Sequence, residues 1–300
     1  MPFTTPITWG TATVTVAQMN EQVRDNMNYL NNLNPQAFFA GGRLTPTSAN
    51  PYGTGDIADV STVYYTPATG NRIALYDGAS AWDVVTFAEG TIDVTALTAS
   101  KPYDVFMYNN GGTATLETLV WTSGTARATG LSYQDGVLVK TGATTRRYLG
   151  AIYVDAGTVT QDSLTQRYII NYYNSQAKLI YVEESTSHTY NGAWRKWNNS
   201  DTNNLIEFFY PVREIPVALQ LTARMRAGED ASFANVKLYL NGSDGGNALE
   251  NWNVQYVRSQ VVNFKSNALD IGYNALQTYE YGNHASSTFS LMQISGYVPG

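Results

Sequence analysis

The stretch VALQLTARMR, residues 217–226, places apolar side chains at every second position and mostly polar ones between them, which predicts a β-strand with one buried face. Side chains of a strand point alternately to opposite faces, so Val217, Leu219 and Met225 are expected inward and Arg224 and Arg226 outward. The stretch TIDVTA, residues 91–96, has the same period of two. Both indicate a mainly β protein.

Short apolar runs of this kind recur after residue 56, and turn residues separate them. The further predicted strands are 63–65, 72–76, 83–87, 103–108, 115–122, 136–140, 148–154, 178–183, 205–210, 236–240, 254–264, 276–281 and 289–294. Pairs such as Asp77-Gly78 and Asn241-Gly242 mark turns between them. Many short strands with no long helix after residue 35 predict β-sandwich or jelly-roll-like domains.

One helix is predicted over residues 15–34, with Thr15 near its N-terminal cap and Asn34-Pro35 as its end. Val16, Val23 and Leu30 recur at intervals of seven, and Met27 occupies the complementary register. Because this heptad-like seam is short, it is equally consistent with two arrangements of the helix. It is either a contact between helices of an oligomer or the apolar face of a helix packed on its own domain.

The chain is predicted to have four parts. They are an N-terminal attachment segment with the helix at 1–35, a linker or extended arm at 36–56, a β domain at 57–174 and a C-terminal β-sandwich at 177–300. The linker is inferred from the Gly-, Pro- and Ser-rich composition of 40–56, which shows no periodicity. The boundary near 171–176 is placed where strands become longer and polar loops appear.

Composition excludes several classes of protein. The 300 residues include no cysteine, so disulfide scaffolds, thiolate metal sites and cysteine nucleophiles are ruled out. Only 14% of residues are charged and the net charge is −6, which argues against a nucleic-acid partner. No run approaches the roughly 18 apolar residues of a membrane span, so no membrane insertion is expected. Residues 1–10 show no secretory signal.

Catalytic patterns are weak, and the sequence predicts no enzyme, no cofactor and no metal site. Glu183 and Glu184 are adjacent in a predicted strand and therefore point to opposite faces. His188 and His284 stand alone in Ser- and Thr-rich segments and are expected to be solvated loop residues. A catalytic pair formed by two acids that are distant in the sequence stays possible, because one sequence does not reveal which acids the fold brings together.

Two aromatic-rich segments, 188–204 and 241–253, are predicted to be loops that carry ligand contacts. The candidate binding residues are Tyr190, Trp194, Arg195, Trp197, Asn247 and Trp252. Flat rings beside amide and guanidinium donors suit sugars, whose CH faces stack while their hydroxyls need directed hydrogen bonds. The alternative is that the tryptophans are core or intersubunit packing residues, which is the commoner fate of tryptophan.

Two regions carry a family resemblance. One is ITWGTATVTVAQMNEQVRDNMNYL, residues 7–30, and the other is VYYTPATGNRIALYDG, residues 63–78, continuing to 82–85. Segments 101–106, 145–150 and 167–174 extend the second region. Over roughly residues 1–175 the chain resembles structural proteins of tailed-bacteriophage virions, of the tail-fibre or head-fibre, receptor-binding type.

The resemblance implies a fibre- or spike-like homotrimer on the exterior of tail or capsid. It implies attachment to other virion proteins by the N-terminus and contact with a host surface glycan or protein by the C-terminal domain. Val16, Val23, Met27 and Leu30 are then the expected oligomerisation or anchor residues. Two alternatives remain: a capsid, neck or baseplate decoration protein that binds only virion proteins, and a polysaccharide-degrading tailspike enzyme.

Overall fold

The computed structural model describes residues 13–27, 39–53, 55–213, 217–230, 232–251, 258–265 and 269–300, with the backbone alone at 245–249, 251 and 258–265. Strands dominate, and one short helix precedes them, so the predicted mainly β class is confirmed. In the described part of the chain no helix has both the length and the apolarity to cross a membrane.

The N-terminal helix starts where the sequence predicts. The Thr15 hydroxyl accepts a hydrogen bond from the Gln18 amide at 3.2 Å, and the Gln18 side chain accepts one from the Thr15 amide at 3.0 Å. This reciprocal cap begins helix α1 (Val16–Met19), which continues into a π-helical segment, Asn20–Asp25. The remainder of the predicted helix, with Leu30, lies outside the described residues.

The apolar side chains of this helical segment are solvent-exposed in the single chain. Val16 is 78% exposed and Met27 is 64% exposed, and Met19 and Val23 are exposed to a lesser degree. We call Val16, Met19, Val23 and Met27 the N-terminal stripe. The described apolar side chains of the predicted seam are therefore exposed in the single chain.

Among the described residues, the first half of the chain contains fourteen strands. They are β1 (Gly42–Thr45), β2 (Ile57–Val60), β3 (Thr62–Pro67), β4 (Arg72–Tyr76), β5 (Trp82–Thr86), β6 (Gly90–Asp93), β7 (Lys101–Asn110), β8 (Thr113–Val120), β9 (Leu131–Gln134), β10 (Val137–Lys140), β11 (Ala143–Val154), β12 (Thr160–Asp162), β13 (Gln166–Arg167) and β14 (Ile169–Asn171). A 3-10 turn, Val94–Ala96, follows β6.

These strands surround one apolar core. A three-stranded sheet (β1-β3-β6) and the β4-β5 hairpin pack against a six-stranded sheet ordered β8-β7-β11-β10-β9, with β14 beside β11. Val63, Ile73, Val105 and Ile152 are fully buried between them. Strand β1 falls inside the segment that was expected to be a linker or arm. All four of its residues are buried, because it pairs with β3 and places Leu44 in the core.

Ten strands lie in the described part of the second half. They are β15 (Ala177–Glu184), β16 (His188–Thr189), β17 (Gly192–Lys196), β18 (Leu205–Tyr210), β19 (Ala218–Arg226), β20 (Ala234–Leu240), β21 (Ser243–Asn251), β22 (Arg258–Lys265), β23 (Gly272–Gly282) and β24 (Thr288–Pro299). A 3-10 turn, Trp197–Asn199, follows β17.

A β-sandwich forms in this half, as predicted. A five-stranded sheet (β15-β24-β19-β22, with β16 on β24) faces an eight-stranded sheet that includes β18-β23-β20-β21 and β17. Leu219, Leu221, Ala223 and Met225 of β19 point inward and are buried, so the alternation in 217–226 is confirmed. They meet residues such as Phe208 from the facing sheet.

The eight-stranded sheet runs across the position of the predicted domain boundary. Its β2 and β12 come from the first half, and β13 pairs in parallel with β18 through Gln166 and Glu207. Side chains join the halves as well: Trp121 meets Phe209 edge-on at 5.2 Å. Each half keeps a large core of its own, and they share one sheet.

A buried ion pair of the first half also reaches the second half through one hydrogen bond. Arg127 donates to Asp104 at 2.9 Å and to the Pro211 carbonyl at 2.8 Å. Burial raises the pKa of Asp104 to about 6, and the guanidinium of Arg127 opposes that rise. The residues that meet here are far apart in the sequence, so no local pattern shows the contact.

Candidate functional site

Strand β23 decides which side chains reach solvent on the eight-stranded sheet. Alternate residues are buried, so Leu276, Thr278 and Glu280 face the sandwich interior. Tyr279 and Tyr281 point to the outer face and are half-buried. The outer face therefore carries aromatic side chains where an exposed strand usually carries charged ones.

Five rings gather on this outer face and form what we call the outer aromatic row: Trp194, Phe233, Tyr239, Tyr279 and Tyr281. Tyr281 lies between Phe233 at 5.3 Å and Trp194 at 5.4 Å, measured between ring centroids. Tyr239 stacks on Tyr279 at 3.7 Å. The rings come from β17, β20, β23 and the residue preceding β20, so paired strands hold their relative positions.

Among the rings of the row, Trp194 is the one that lies on an edge strand. Its nearest ring is that of Tyr281, at 5.4 Å between centroids. Trp194 lies on β17, which pairs with β23 and with no other described strand, and its side chain is half-buried. The Lys237 ammonium lies 4.1 Å from the centre of the indole ring and adds a cation–π contact.

The charges beside the row are paired. Lys237 donates to Asp244, and Lys196 donates to Asp201. Lys237 has little solvent exposure, so its stem also fills space between the rings. A surface of rings, hydroxyls and internally neutralised charges favours a neutral polar ligand over a strongly charged one.

A buried carboxylate underneath holds β17 in place. Glu280 is fully buried and accepts from Arg195 Nε at 2.7 Å and from the Asn198 amide at 3.2 Å. Its second oxygen lies 2.6 Å from His188 Nε2. We call Glu280, His188 and Arg195 the Glu280 network. It joins the segment on both sides of Trp194 to β23.

His188 therefore differs from the solvated loop residue expected from the sequence. Its ring stacks on Phe289 at 5.7 Å and meets Trp197 edge-on at 5.4 Å. The reason is the pairing of β16 with β24, which draws His188 over the edge of the sandwich core.

The predicted ligand residues lie in different environments. Trp194 is in the outer aromatic row. Arg195 belongs to the Glu280 network and its guanidinium lies 3.6 Å from the centre of the Tyr190 ring, which packs against the core. Trp197 is 0% exposed in the sandwich core, so it offers no surface to a ligand, contrary to expectation. Asn247 has no described side chain, and Trp252 lies outside the described residues.

Both expected loops contain strands. Within 188–204, Gly192–Lys196 forms β17. Within 241–253, Ser243–Asn251 forms β21, because Asn241 and Gly242 adopt positive φ angles of 51° and 77° and close a tight hairpin with β20. The candidate site is thus on a sheet face rather than on loops.

Sequence reasoning missed Phe233, Tyr239, Tyr279 and Tyr281. A signal was available for two of them, since Tyr279 and Tyr281 follow Gln277 at a spacing of two in a strand that was predicted. Aromatic residues on the polar positions of an alternating strand indicate a binding face. Within the described residues, no three acidic or histidine side chains gather in a way that would hold a metal ion.

No protein family matches this chain, and no curated protein matches it significantly. Among solved structures it is similar to the CBM36-1 domain of a multidomain xylanase from the hindgut metagenome of Trinervitermes trinervoides. Identity is 12% and the TM-score 0.26, over 41% of this chain and 99% of that one. It is also similar to a family 35 carbohydrate-binding module from Clostridium thermocellum. The identity is 14% and the TM-score 0.20, over 40% of this chain and 97% of that one.

A viral protein is also among the similar structures. The infectious bursal disease virus VP2 subviral particle shows 10% identity and a TM-score of 0.29, over 86% of this chain and 68% of that one. Every one of these TM-scores is far below 0.5, so the likenesses carry no argument about function.

Proposed function

We propose that this chain is a bacteriophage virion fibre or spike protein whose C-terminal sandwich binds a host-surface glycan at the outer aromatic row. The observation that carries the proposal is the partly exposed Trp194 on an edge strand beside further rings and paired charges. The resemblance of residues 1–175 to tailed-phage virion proteins supports the location on the tail or capsid exterior.

Sugar recognition fits the chemistry of this face. The CH face of a pyranose stacks on an indole ring, while tyrosine hydroxyls and the Lys237–Asp244 pair supply directed hydrogen bonds at the margin. Strands hold these groups more rigidly than loops do, which lowers the entropy lost on binding. One such site binds weakly, and three linked copies raise the apparent affinity by roughly 10²–10⁴.

Trp194→Ala tests the site. We expect the variant to lose at least about tenfold in affinity for a bacterial envelope polysaccharide, because truncating a central aromatic contact costs more than 1 kcal/mol. Its melting temperature should fall less than that of Trp197→Ala, since the Trp194 ring is only partly buried and the Trp197 ring is in the core. Binding is measured by isothermal calorimetry across a panel of envelope polysaccharides.

Tyr297→Ala is the matched control. Tyr297 is 54% exposed on β24, in the five-stranded sheet, and takes no part in the outer aromatic row. It should bind like the natural chain. Equal affinity of the Trp194→Ala variant and the natural chain would contradict a glycan site at Trp194.

We further propose a homotrimer that assembles along the N-terminal stripe and attaches to other virion proteins by its N-terminal segment. A helix this short is marginal alone, and exposed Val16, Val23 and Met27 gain burial only against partners. The double variant Val23→Asp, Met27→Asp should run as a monomer in light scattering and keep the strand signal in circular dichroism. A trimer that survives both substitutions, or a natural chain that is monomeric at micromolar concentration, would refute this assembly.

The other two functions make different predictions. A decoration protein would bind virion proteins and no glycan. A tailspike enzyme would release reducing ends from host polysaccharide and lose that activity when a single acid is replaced. We propose no enzymatic activity, because the carboxylates beside the row, Asp201, Asp244 and Glu280, are each held by a cation of this chain.

A further inference from the structure

The outer face of the eight-stranded sheet continues beyond the outer aromatic row toward the first half of the chain. On β23, Tyr281 and Tyr279 belong to the row, and Gln277, Ala275 and Tyr273 follow them at every second position. All five side chains are partly exposed, and the residues between them are buried. Alternate residues of a strand point to the same face, so these five share one solvent-facing surface.

Strand β18 widens this surface. Leu205 and Glu207 lie directly opposite Gln277 and Ala275 in the antiparallel pairing, and both are partly exposed. We call the partly exposed outer residues of β23, together with these two residues of β18, the β23 strip. Its first and last β23 residues are eight positions apart, which corresponds to about 27 Å along an antiparallel strand. The strip is therefore much longer than a disaccharide.

Tyrosine side chains of the first half lie at the far end of the strip. The ring of Tyr153, on β11, is 5.0 Å from that of Tyr273 and 5.0 Å from that of Tyr168, measured between centroids. The hydroxyls of Tyr168 and Tyr273 both donate to the carboxylate of Glu207, the first at 3.1 Å. Aromatic rings thus stand at both ends of the strip, and aliphatic, amide and carboxylate groups lie between them.

The charges on this face disfavour an acidic ligand. Lys196 and Lys237 are each paired with a carboxylate of the chain. Glu207 accepts from Gln166 Nε2 at 2.6 Å and from the two tyrosine hydroxyls, and no cation among the described residues forms an ion pair with it. A carboxylate has about four lone-pair sites, so Glu207 can also accept a hydroxyl of a ligand. It would repel a carboxylate or phosphate placed there.

We propose that the β23 strip binds a segment, several sugars long, of an uncharged linear polysaccharide that runs along β23 from Trp194 to Tyr273. This inference rests on the glycan site proposed above and extends it from one stacking position to a row of them. Rings at the two ends offer apolar surface to sugar CH groups, and Gln277 and Glu207 between them supply hydrogen bonds to hydroxyls.

Calorimetry on the full chain with oligosaccharides of different length tests the strip. The probes are a disaccharide and a hexasaccharide prepared from the neutral envelope polysaccharide that binds the natural chain best. We expect the hexasaccharide to bind at least about tenfold more tightly, which exceeds the several-fold gain that multiple binding registers alone provide. A polysaccharide of uronic acids should bind at least about tenfold more weakly than the neutral one, because Glu207 repels its carboxylates.

Ala275→Arg obstructs the middle of the strip without removing a ring or a hydrogen-bonding side chain. The new guanidinium lies opposite Glu207, and a cross-strand pair of opposite charges favours the folded state. We expect the hexasaccharide affinity to fall to that of the disaccharide, which still binds at Trp194. Leu205→Arg, on the neighbouring strand, obstructs the same region and should act alike. Ala218→Arg is the matched control, since Ala218 is exposed on the outer face of the five-stranded sheet.

Two results would overturn the strip and leave the glycan site at Trp194 in place. One is a hexasaccharide that gains no more than the register effect over the disaccharide. The other is a hexasaccharide that binds Ala275→Arg and Leu205→Arg as tightly as it binds Ala218→Arg. Equal affinity for the uronic acid polymer would refute the selection of an uncharged chain. Natural affinity of Trp194→Ala for both oligosaccharides, or no binding by any polysaccharide of the panel, would instead refute the proposed glycan site itself.

Discussion

Trp197→Ala is expected to lower the free energy of unfolding of the C-terminal sandwich by about 3–5 kcal/mol, the range found for truncating a buried tryptophan. The Trp197 ring is fully buried and packs edge-on against His188 at 5.4 Å and Phe289 at 5.6 Å. Its removal leaves a cavity between the two sheets that the surrounding strands fill only in part. Urea denaturation followed by circular dichroism measures the loss.

The matched control is Trp194→Ala, three residues earlier and on the outer face. Because its indole ring is only partly buried, its loss should cost less, about 1–2 kcal/mol. Comparable losses for the two variants would mean that the orientation of the β17 segment is wrong. Such a result would also remove Trp194 from the outer face and with it the candidate site.

Glu280→Ala is expected to destabilise the protein by about 2–4 kcal/mol, because removing one partner of a buried ion pair leaves the others without compensation. Glu280 is fully buried and bonds to His188, Arg195 and the Asn198 amide. The estimate lies below the value for a fully buried pair because Arg195 keeps 29% exposure and regains water. Glycan binding should weaken as well, since the network positions the strand that carries Trp194.

Two other variants serve as comparisons for Glu280→Ala. Glu280→Gln keeps hydrogen-bonding oxygen and loses the charge, so its stability should lie between those of the natural chain and Glu280→Ala. Glu183→Ala removes an exposed glutamate of the five-stranded sheet and should change stability by no more than about 0.5 kcal/mol. If Glu280→Ala costs no more than Glu183→Ala, the Glu280 network does not stabilise the sandwich.

Local patterns predicted the elements whose environment is set by their own residues. The alternation in 217–226 gave β19 and its buried face, and the Thr15 cap gave the start of the helix. Asn241-Gly242 forms the turn that its sequence predicts, whereas the expected loop over 241–253 is not found, because residues 243–251 form a strand. Residues 243–251 contain glycines and polar residues and become a strand only because β20 offers them a partner.

The features that local patterns do not predict depend on contacts between segments of the fold. Trp194 and Trp197 lie three residues apart in the same aromatic-rich segment, yet one faces outward and the other is in the core. They differ because β17 ends at Lys196 and a 3-10 turn redirects the chain, with Asn198 at a φ of 49°. Strand β1 has a linker-like composition and is buried because β3 covers it. The parallel pairing of β13 with β18 joins residues about forty apart, which no periodicity reveals.

Fluorine NMR of the chain labelled with 5-fluorotryptophan tests the central claim most directly, since the six tryptophans give six resonances. The oligosaccharide that binds best in the envelope panel is titrated in, and Trp194→Phe and Trp197→Phe assign the two relevant signals. We predict that the Trp194 resonance shifts with a saturating dependence on ligand, while the buried Trp197 and Trp121 resonances stay in place. Saturation of binding with the Trp194 resonance unmoved would contradict a glycan site on the outer aromatic row.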